Sequence, residues 1–329
     1  MTTPRLLVIG CGSIGRRHLR NLRALGQSDI LAFDTRAERA ESVASEFGAT
    51  AVQSVENGLT RKPGAVFVCT PPHLHLSLAT QALAAGCHVF VEKPLSNLLD
   101  GVDDLLAEAE RRSRMVCVGY NLRFHPGLSR LKKMLDRGSI GAPLGIRAEF
   151  GQYLPDWRPD EDYRAGYTAQ ESLGGGIILD ASHELDYVRW LGGEVAGVSC
   201  LAGKLSGLDM DAEDTAEIVL RMSSDILAQV HVDCTQRHYT RWCKVAGTEG
   251  TLLWDYHGGI RHYDAKARQW HEEPMTVDPN LMYLREMEHV LACFRGEARP
   301  AVDGAAGRAV LAIALAAKRS ARERREVTL

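Results

Sequence analysis

Gly10-Cys11-Gly12-Ser13-Ile14-Gly15 carries three glycines at the spacing G-x-G-x-x-G. Between a strand and a helix, that spacing makes a cradle for a pyrophosphate. The first glycine allows the tight turn, the second lets the backbone approach the anion, and the third lets the helix pack on the strand. The amides of Ser13 and Ile14, at the helix start, would face the anion. Asp34 follows about 20 residues later, where a carboxylate can take the ribose hydroxyls. That carboxylate repels a 2′-phosphate and so selects NAD. Arg36 and Arg39 lie just beyond it and would either pair with the phosphate of NADP or be solvated helix surface. The reading is NAD, with NADP as the alternative.

Three further segments could carry chemistry. Cys69-Thr70-Pro71-Pro72-His73-Leu74-His75 and Glu92-Lys93-Pro94 each follow a short apolar run. An open α/β sheet places its ligands at such strand ends. Thr70, Pro71, Pro72, His75, Glu92, Lys93 and Pro94 are therefore candidate cofactor contacts, as is Asn121 after the next run. The third segment runs from Gly174-Gly175-Gly176 to Asp180, His183 and Asp186. An alcohol that loses hydride must also lose its hydroxyl proton, which needs a base. An amine such as Lys93 beside a cationic ring has its charged form disfavoured. An imidazole such as His183 in the first turn of a helix is biased toward neutral. Each has a plainer alternative: Lys93 as loop surface, His183 as a packed helix residue, and Asp180 as the N-cap of a helix over Ala181–Leu191.

The elements that must position these residues read as follows. Strands are expected at Leu6–Gly10, Ile30–Asp34, Ala65–Cys69, His88–Val91 and Met115–Gly119. They alternate with helices at Ser13–Leu25, Arg36–Phe47, Leu74–Ala85 and Leu98–Arg112, which implies βαβ units and a parallel sheet. After Tyr120 the pattern changes. A helix over Leu128–Asp136 is followed by strands at Ala216–Met222, Asp225–Cys234, Trp242–Gly247, Thr251–Tyr256 and Ile260–Tyr263, where apolar residues alternate with polar ones. The fold class is α/β. An N-terminal Rossmann domain with a doubly wound parallel sheet spans residues 1–121. A C-terminal α+β domain with an open, largely antiparallel sheet, for substrate binding and oligomerisation, spans 122–329. Its closing helices, Tyr283–Phe294 and Ala305–Arg319, are free to pack back on the first domain.

The order of G-x-G-x-x-G, T-P-P-x-x-H, E-K-P and a G-G-G run leading to Asp and His resembles the Gfo/Idh/MocA oxidoreductases over essentially the whole chain. The resemblance implies hydride transfer between a nicotinamide and a hydroxyl or carbonyl carbon of a sugar, sugar acid or nucleotide sugar. It implies that Lys93 contacts the reacting hydroxyl, that His183 is the acid/base and that Asp180 positions the imidazole or the substrate. Pro94 would be the family's frequently cis proline, aiming Lys93. The family usually sets its histidine four residues after the aspartate. Here the two are three apart, which on one helix still leaves them on one face. Arg123-Phe124-His125-Pro126 and Leu179–Trp190 look most like the branch associated with surface-polysaccharide and nucleotide-sugar synthesis. The alternatives are an inositol-type polyol dehydrogenase and a sugar-responsive regulator that binds the dinucleotide without turnover.

On the substrate side, Arg123, Trp157, Arg158 and Tyr163 mix aromatics with arginines, which suits a sugar face plus an anion. Arg237, His238 and Arg241 form a similar group. A formal net charge of −3 leaves no strong global field to favour nucleic acid or an anionic membrane as partner. No apolar run is long enough to span a bilayer. Pro4 and Arg5 before a short strand leave no signal peptide in view. The 8 cysteines contain no C-x-x-C pair and read as reduced thiols of a cytoplasmic protein. His183-Glu184-Leu185-Asp186-Tyr187 is not H-E-x-x-H, so no metal is expected. The partners expected are a carbohydrate-type small molecule and further copies of the chain, as a homodimer or homotetramer.

Overall fold

The computed structural model describes residues 5–329. It divides into two compact units, one running up to Asn121 and including Asn280–Arg308, the other comprising Leu122–Pro279 and Ala309–Leu329.

The first unit is built on six strands: β1 (Leu6–Ile9), β2 (Ile30–Phe33), β3 (Thr50–Ala51), β4 (Ala65–Val68), β5 (His88–Glu92) and β6 (Val116–Gly119). All pairings are parallel, in the order β3-β2-β1-β4-β5-β6. Every residue of β1, β4 and β6 is buried. Helices cover both faces of a parallel sheet, so its strands are apolar runs rather than alternations. Helix Leu281–Phe294 supplies Met287, Val290, Leu291 and Cys293 to this same core. The strand order reverses between β1 and β4, and the crevice outside that point is where such sheets bind ligands. The helix expected from Leu98 begins only at Val102, because Gly101 has φ +76°, outside the helical region. Two short elements, β3 and helix Val55–Thr60, lie where no element was expected.

The second unit carries nine strands: β7 (Pro143–Gly151), β8 (Val195–Gly203), β9 (Thr215–Met222), β10 (Leu227–Asp233), β11 (Thr240–Gly247), β12 (Gly250–Asp255), β13 (Gly259–Asp264), β14 (Gln269–Glu273) and β15 (Val327–Thr328). Their order is β14-β13-β12-β11-β7-β10-β9-β8-β15. All neighbours are antiparallel except β7 and β10. β9 alternates strictly, with Ala216, Ile218, Leu220 and Met222 buried and Glu217, Val219 and Arg221 exposed. One face therefore packs on helices and the other is open. The open face carries a groove of about 550 Å³ lined by Leu144, Ile146, Val219, Leu227 and Ala228. Strands β7, β8, β14 and β15 are additions to the sequence reading; β15 has only 2 residues, too short for a periodicity.

Candidate active site

In the first unit the glycine turn is set by close approach. Gly10 has φ +94°, and a Cβ there would lie 2.5 Å from the Cys69 carbonyl oxygen. A Cβ on Gly15 would lie 1.8 Å from the Gly10 carbonyl oxygen. At Gly12 a Cβ would meet no atom within 4 Å, so the space above the turn is open. Helix Ser13–Ala24 starts there, with its first amides unbonded to any capping side chain. The Thr70 hydroxyl, on the adjoining β4 loop, is buried without a partner among the described residues. An open cradle, a free helix N-terminus and an orphaned hydroxyl fit a dinucleotide.

Asp34 directly follows β2, and its carboxylate accepts from the backbone amides of Cys11 and Arg36, each at 2.9 Å. Arg39 reaches the same carboxylate at 3.4 Å, while the Arg36 side chain is exposed. Pro71 and Pro72 begin a single turn that leads into helix His75–Ala84. Asn121 is buried two residues after β6.

The Glu92-Lys93-Pro94 turn is held by two histidines. Glu92 Oε1 lies 2.5 Å from Nε2 of His18, and its other oxygen accepts from the Lys93 amide at 3.2 Å. His18 is fully buried, edge-on to Phe90 at 5.3 Å. The Pro94 carbonyl oxygen lies 2.8 Å from Nδ1 of His75, whose Nε2 lies 2.7 Å from the Thr70 carbonyl oxygen. The Lys93–Pro94 bond is cis. Two of the expected cofactor contacts are also engaged within the unit. His75 is fully buried, with both ring nitrogens facing backbone carbonyls. Glu92 engages His18 with one carboxylate oxygen and the Lys93 amide with the other. His18 carries no sequence signal of its partner, which lies 74 residues away.

In the second unit, Gly174 and Gly176 take φ of +85° and +98°, and a Cβ on Gly175 would lie 2.2 Å from the Tyr167 carbonyl oxygen. The run then enters a short helix, Ile177–Asp180, which ends at Ala181 before helix Ser182–Gly192 begins. This overturns two expectations. Asp180 does not cap the second helix, because Ala181 occupies the N-cap. Asp180 and His183 also sit on different helices, so the shared-face argument does not hold. Instead Asp180 is buried and accepts from Tyr167 Oη at 2.7 Å and from Thr168 Oγ1 at 2.5 Å. His183, half-buried, lies in the first turn of its helix.

Two buried ion pairs fix that helix. Arg123 meets Asp186 with two bonds of 2.8 and 2.7 Å. Arg241 donates to the fully buried Glu184 at 2.8 Å and lies over Phe150 at 4.1 Å. Burial raises the pKa of Asp186 even against Arg123. Both guanidinium groups, expected on the substrate side, are paired with carboxylates inside the unit. Trp157 donates to the Gln152 carbonyl at 3.0 Å, and Tyr163 accepts from the Asp209 amide at 3.0 Å. Arg158 is exposed and 3.8 Å from Glu161. Of the three arginines, only Arg158 is exposed.

Comparison with known proteins agrees with this architecture. Residues 5–120 match the model of an oxidoreductase family with an NAD-binding Rossmann fold, and residues 128–253 match that of the Gfo/Idh/MocA C-terminal domain. The chain is 29% identical to the myo-inositol 2-dehydrogenase of Thermotoga maritima, over 99% of this chain and 98% of that one. The solved UDP-N-acetylglucosamine 3-dehydrogenase of Acidithiobacillus ferrooxidans superposes with a TM-score of 0.82 at 26% identity, covering 98% of this chain and 99% of that one. The inositol 2-dehydrogenase 3 of Saccharopolyspora erythraea is 31% identical over 76% of this chain and 72% of its own length. This chain belongs to the Gfo/Idh/MocA family of oxidoreductases.

Proposed function

We propose that the protein is an NAD-dependent dehydrogenase or reductase acting on a hydroxyl or carbonyl carbon of a sugar, sugar acid or nucleotide sugar. The observation that carries this reading is the place of Lys93. It directly follows β5, on a turn tied through His75 to the Thr70 loop, which adjoins the glycine turn at Gly10. When bound, NAD accepts or returns the hydride. Lys93 holds the substrate hydroxyl and exchanges its proton, His183 serves as acid/base, and Asp180 positions the substrate or the imidazole. Asp34 would take the ribose hydroxyls. Because Arg39 already pairs with that carboxylate, we expect NAD to bind more tightly than NADP. Arg158 is left to meet an anionic part of the substrate.

The relatives include enzymes named for inositol and for a UDP-sugar, so the deciding experiment is a substrate panel. Myo-inositol, free sugars, uronates and UDP-N-acetylglucosamine are offered with NAD and with NADP, and the absorbance of the reduced cofactor is followed. Turnover of at least one polyhydroxylated compound with NAD is expected. Cofactor binding without turnover of any compound overturns the reading and leaves a dinucleotide-binding regulator.

No helix among the described residues is long and apolar enough to cross a membrane, and all eight cysteines are buried free thiols. Both support a cytoplasmic enzyme. The groove on the open sheet face, with Leu144 and Leu227 each more than half exposed, supports assembly with a second copy. Sedimentation at micromolar concentration should give a dimer or tetramer, and a monomer overturns that part.

A further inference from the structure

We propose that His18 and His75 are positioning residues for Lys93, clamping the Glu92–Pro94 turn from its two ends; this rests on the reading that Lys93 handles the substrate hydroxyl.

The geometry is a chain of buried polar contacts. His18 projects from the helix that follows the glycine turn, and its Nε2 meets Glu92, whose other oxygen holds the Lys93 amide. His75 meets the Pro94 carbonyl, on the far side of Lys93, and anchors it to the Thr70 carbonyl. Neither ring has measurable exposure, and each occupies space that an aliphatic side chain could fill without the cost of a buried polar group. What the imidazoles add is direction. They bind the residues before and after Lys93 to the glycine-turn helix and to the β4 loop, the two segments expected to hold the cofactor. A shift of the cradle is thereby transmitted to the amine. Displacing a reacting group by about 1 Å can cost about a hundredfold in rate.

The two contacts of His75 can be separated. Burial pushes the pKa of His75 down against the pull of both carbonyls. A neutral imidazole has one N–H, so only one of the two carbonyls takes a full hydrogen bond. Asparagine places an amide N–H near the former Nδ1 and glutamine near the former Nε2. His75→Asn therefore keeps the Pro94 contact and loses Thr70, whereas His75→Gln does the reverse. In the same way His18→Gln keeps a donor for Glu92 and His18→Leu removes it.

The test uses the full-length, NAD-loaded protein and reads Lys93 directly. The acetylation rate of Lys93 by N-hydroxysuccinimidyl acetate is measured by peptide mass spectrometry against Lys132 as internal reference. It is compared with kcat and KM on the compound the panel identifies. His75→Gln and His18→Leu should change the Lys93 rate severalfold and lower kcat by about tenfold to a hundredfold with little change in KM. His75→Asn and His18→Gln should stay close to the unsubstituted protein. If His18→Leu does not fold, the His75 pair decides alone, since both variants keep a polar amide in the same space. Equal Lys93 rates in His75→Asn and His75→Gln overturn the inference. A normal kcat in Lys93→Ala overturns instead the role given to Lys93, while the acetylation rates still decide whether the histidines aim it.

Discussion

The two units hold their chemical groups by different means. In the first, Lys93 sits between residues gripped by buried histidines, and three of the four contacts involve backbone atoms of the turn or of its anchor. In the second, the helix of His183 is held by side-chain ion pairs, Arg123 with Asp186 and Arg241 with Glu184, and Asp180 by two hydroxyls. The difference follows from the sheets. A parallel sheet covered on both faces leaves polar groups room only at strand ends, where backbone carbonyls and amides are free. In the second unit the helix face is itself built from charged residues, and each must find its counter-ion inside. Turn geometry thus governs the first region and desolvated charge the second.

Four experiments break or sharpen that contrast, and the largest effect should come from the chemistry itself. Lys93→Ala and His183→Ala should each lower turnover by about 10² to 10⁴. If they act as one proton-transfer unit, the double variant should be little worse than either single one. Multiplying losses would show independent roles. Next in size is the ion pair. Arg123→Leu strands Asp186 in a buried site and should cost about 3–5 kcal/mol of unfolding free energy. If Arg123 serves substrate instead, KM rises and the denaturation midpoint stays put.

Asp180→Asn comes third. With no cap to preserve, asparagine offers one acceptor to two hydroxyls, so stability should fall by about 1–3 kcal/mol and activity with it. An unchanged melting temperature and turnover would remove Asp180 from the site.

The smallest effect lies on the open sheet face. His231, bonded to Asp233 at 3.0 Å and to Glu217 at 2.7 Å, has its pKa raised to about 9 by the Asp233 contact and, against burial, by Glu217. A pKa raised on folding stabilises below the unfolded value near 6.5, and that contribution is lost as pH rises through the folded one. Between about pH 6.5 and 9.5 the protein should lose about 1–2 kcal/mol relative to His231→Gln, measured by urea denaturation. Parallel pH profiles for the two proteins would refute the pairing.

Much of the first unit was legible because its signals are local. Glycines at 10 and 15 are demanded by turn geometry and contacts within a few residues or across one strand pair, and the apolar runs name their own strands. The second unit was less so. Arg123 and Asp186 lie 63 residues apart, and Arg241 and Glu184 57. An arginine near aromatics reads the same whether it faces a ligand or a buried carboxylate. The break at Ala181 was hidden too, since Ile177–Gly192 has no proline or internal glycine to mark it.

By itself the sequence determined the dinucleotide cradle, the Asp34 carboxylate at the end of β2 and the order of the chemical segments. All of these depend on residue type at short spacing, where the backbone has few conformations to choose from. Only the tertiary structure decided which polar groups are spent internally. His75, Glu92, Arg123 and Arg241 each have internal partners that their spacing did not announce, as do His18, Tyr167 and Thr168. Such pairings are set by which buried charges and donors the packed elements bring together, and the cost of leaving any of them unpaired, not spacing along the chain, selects the partner.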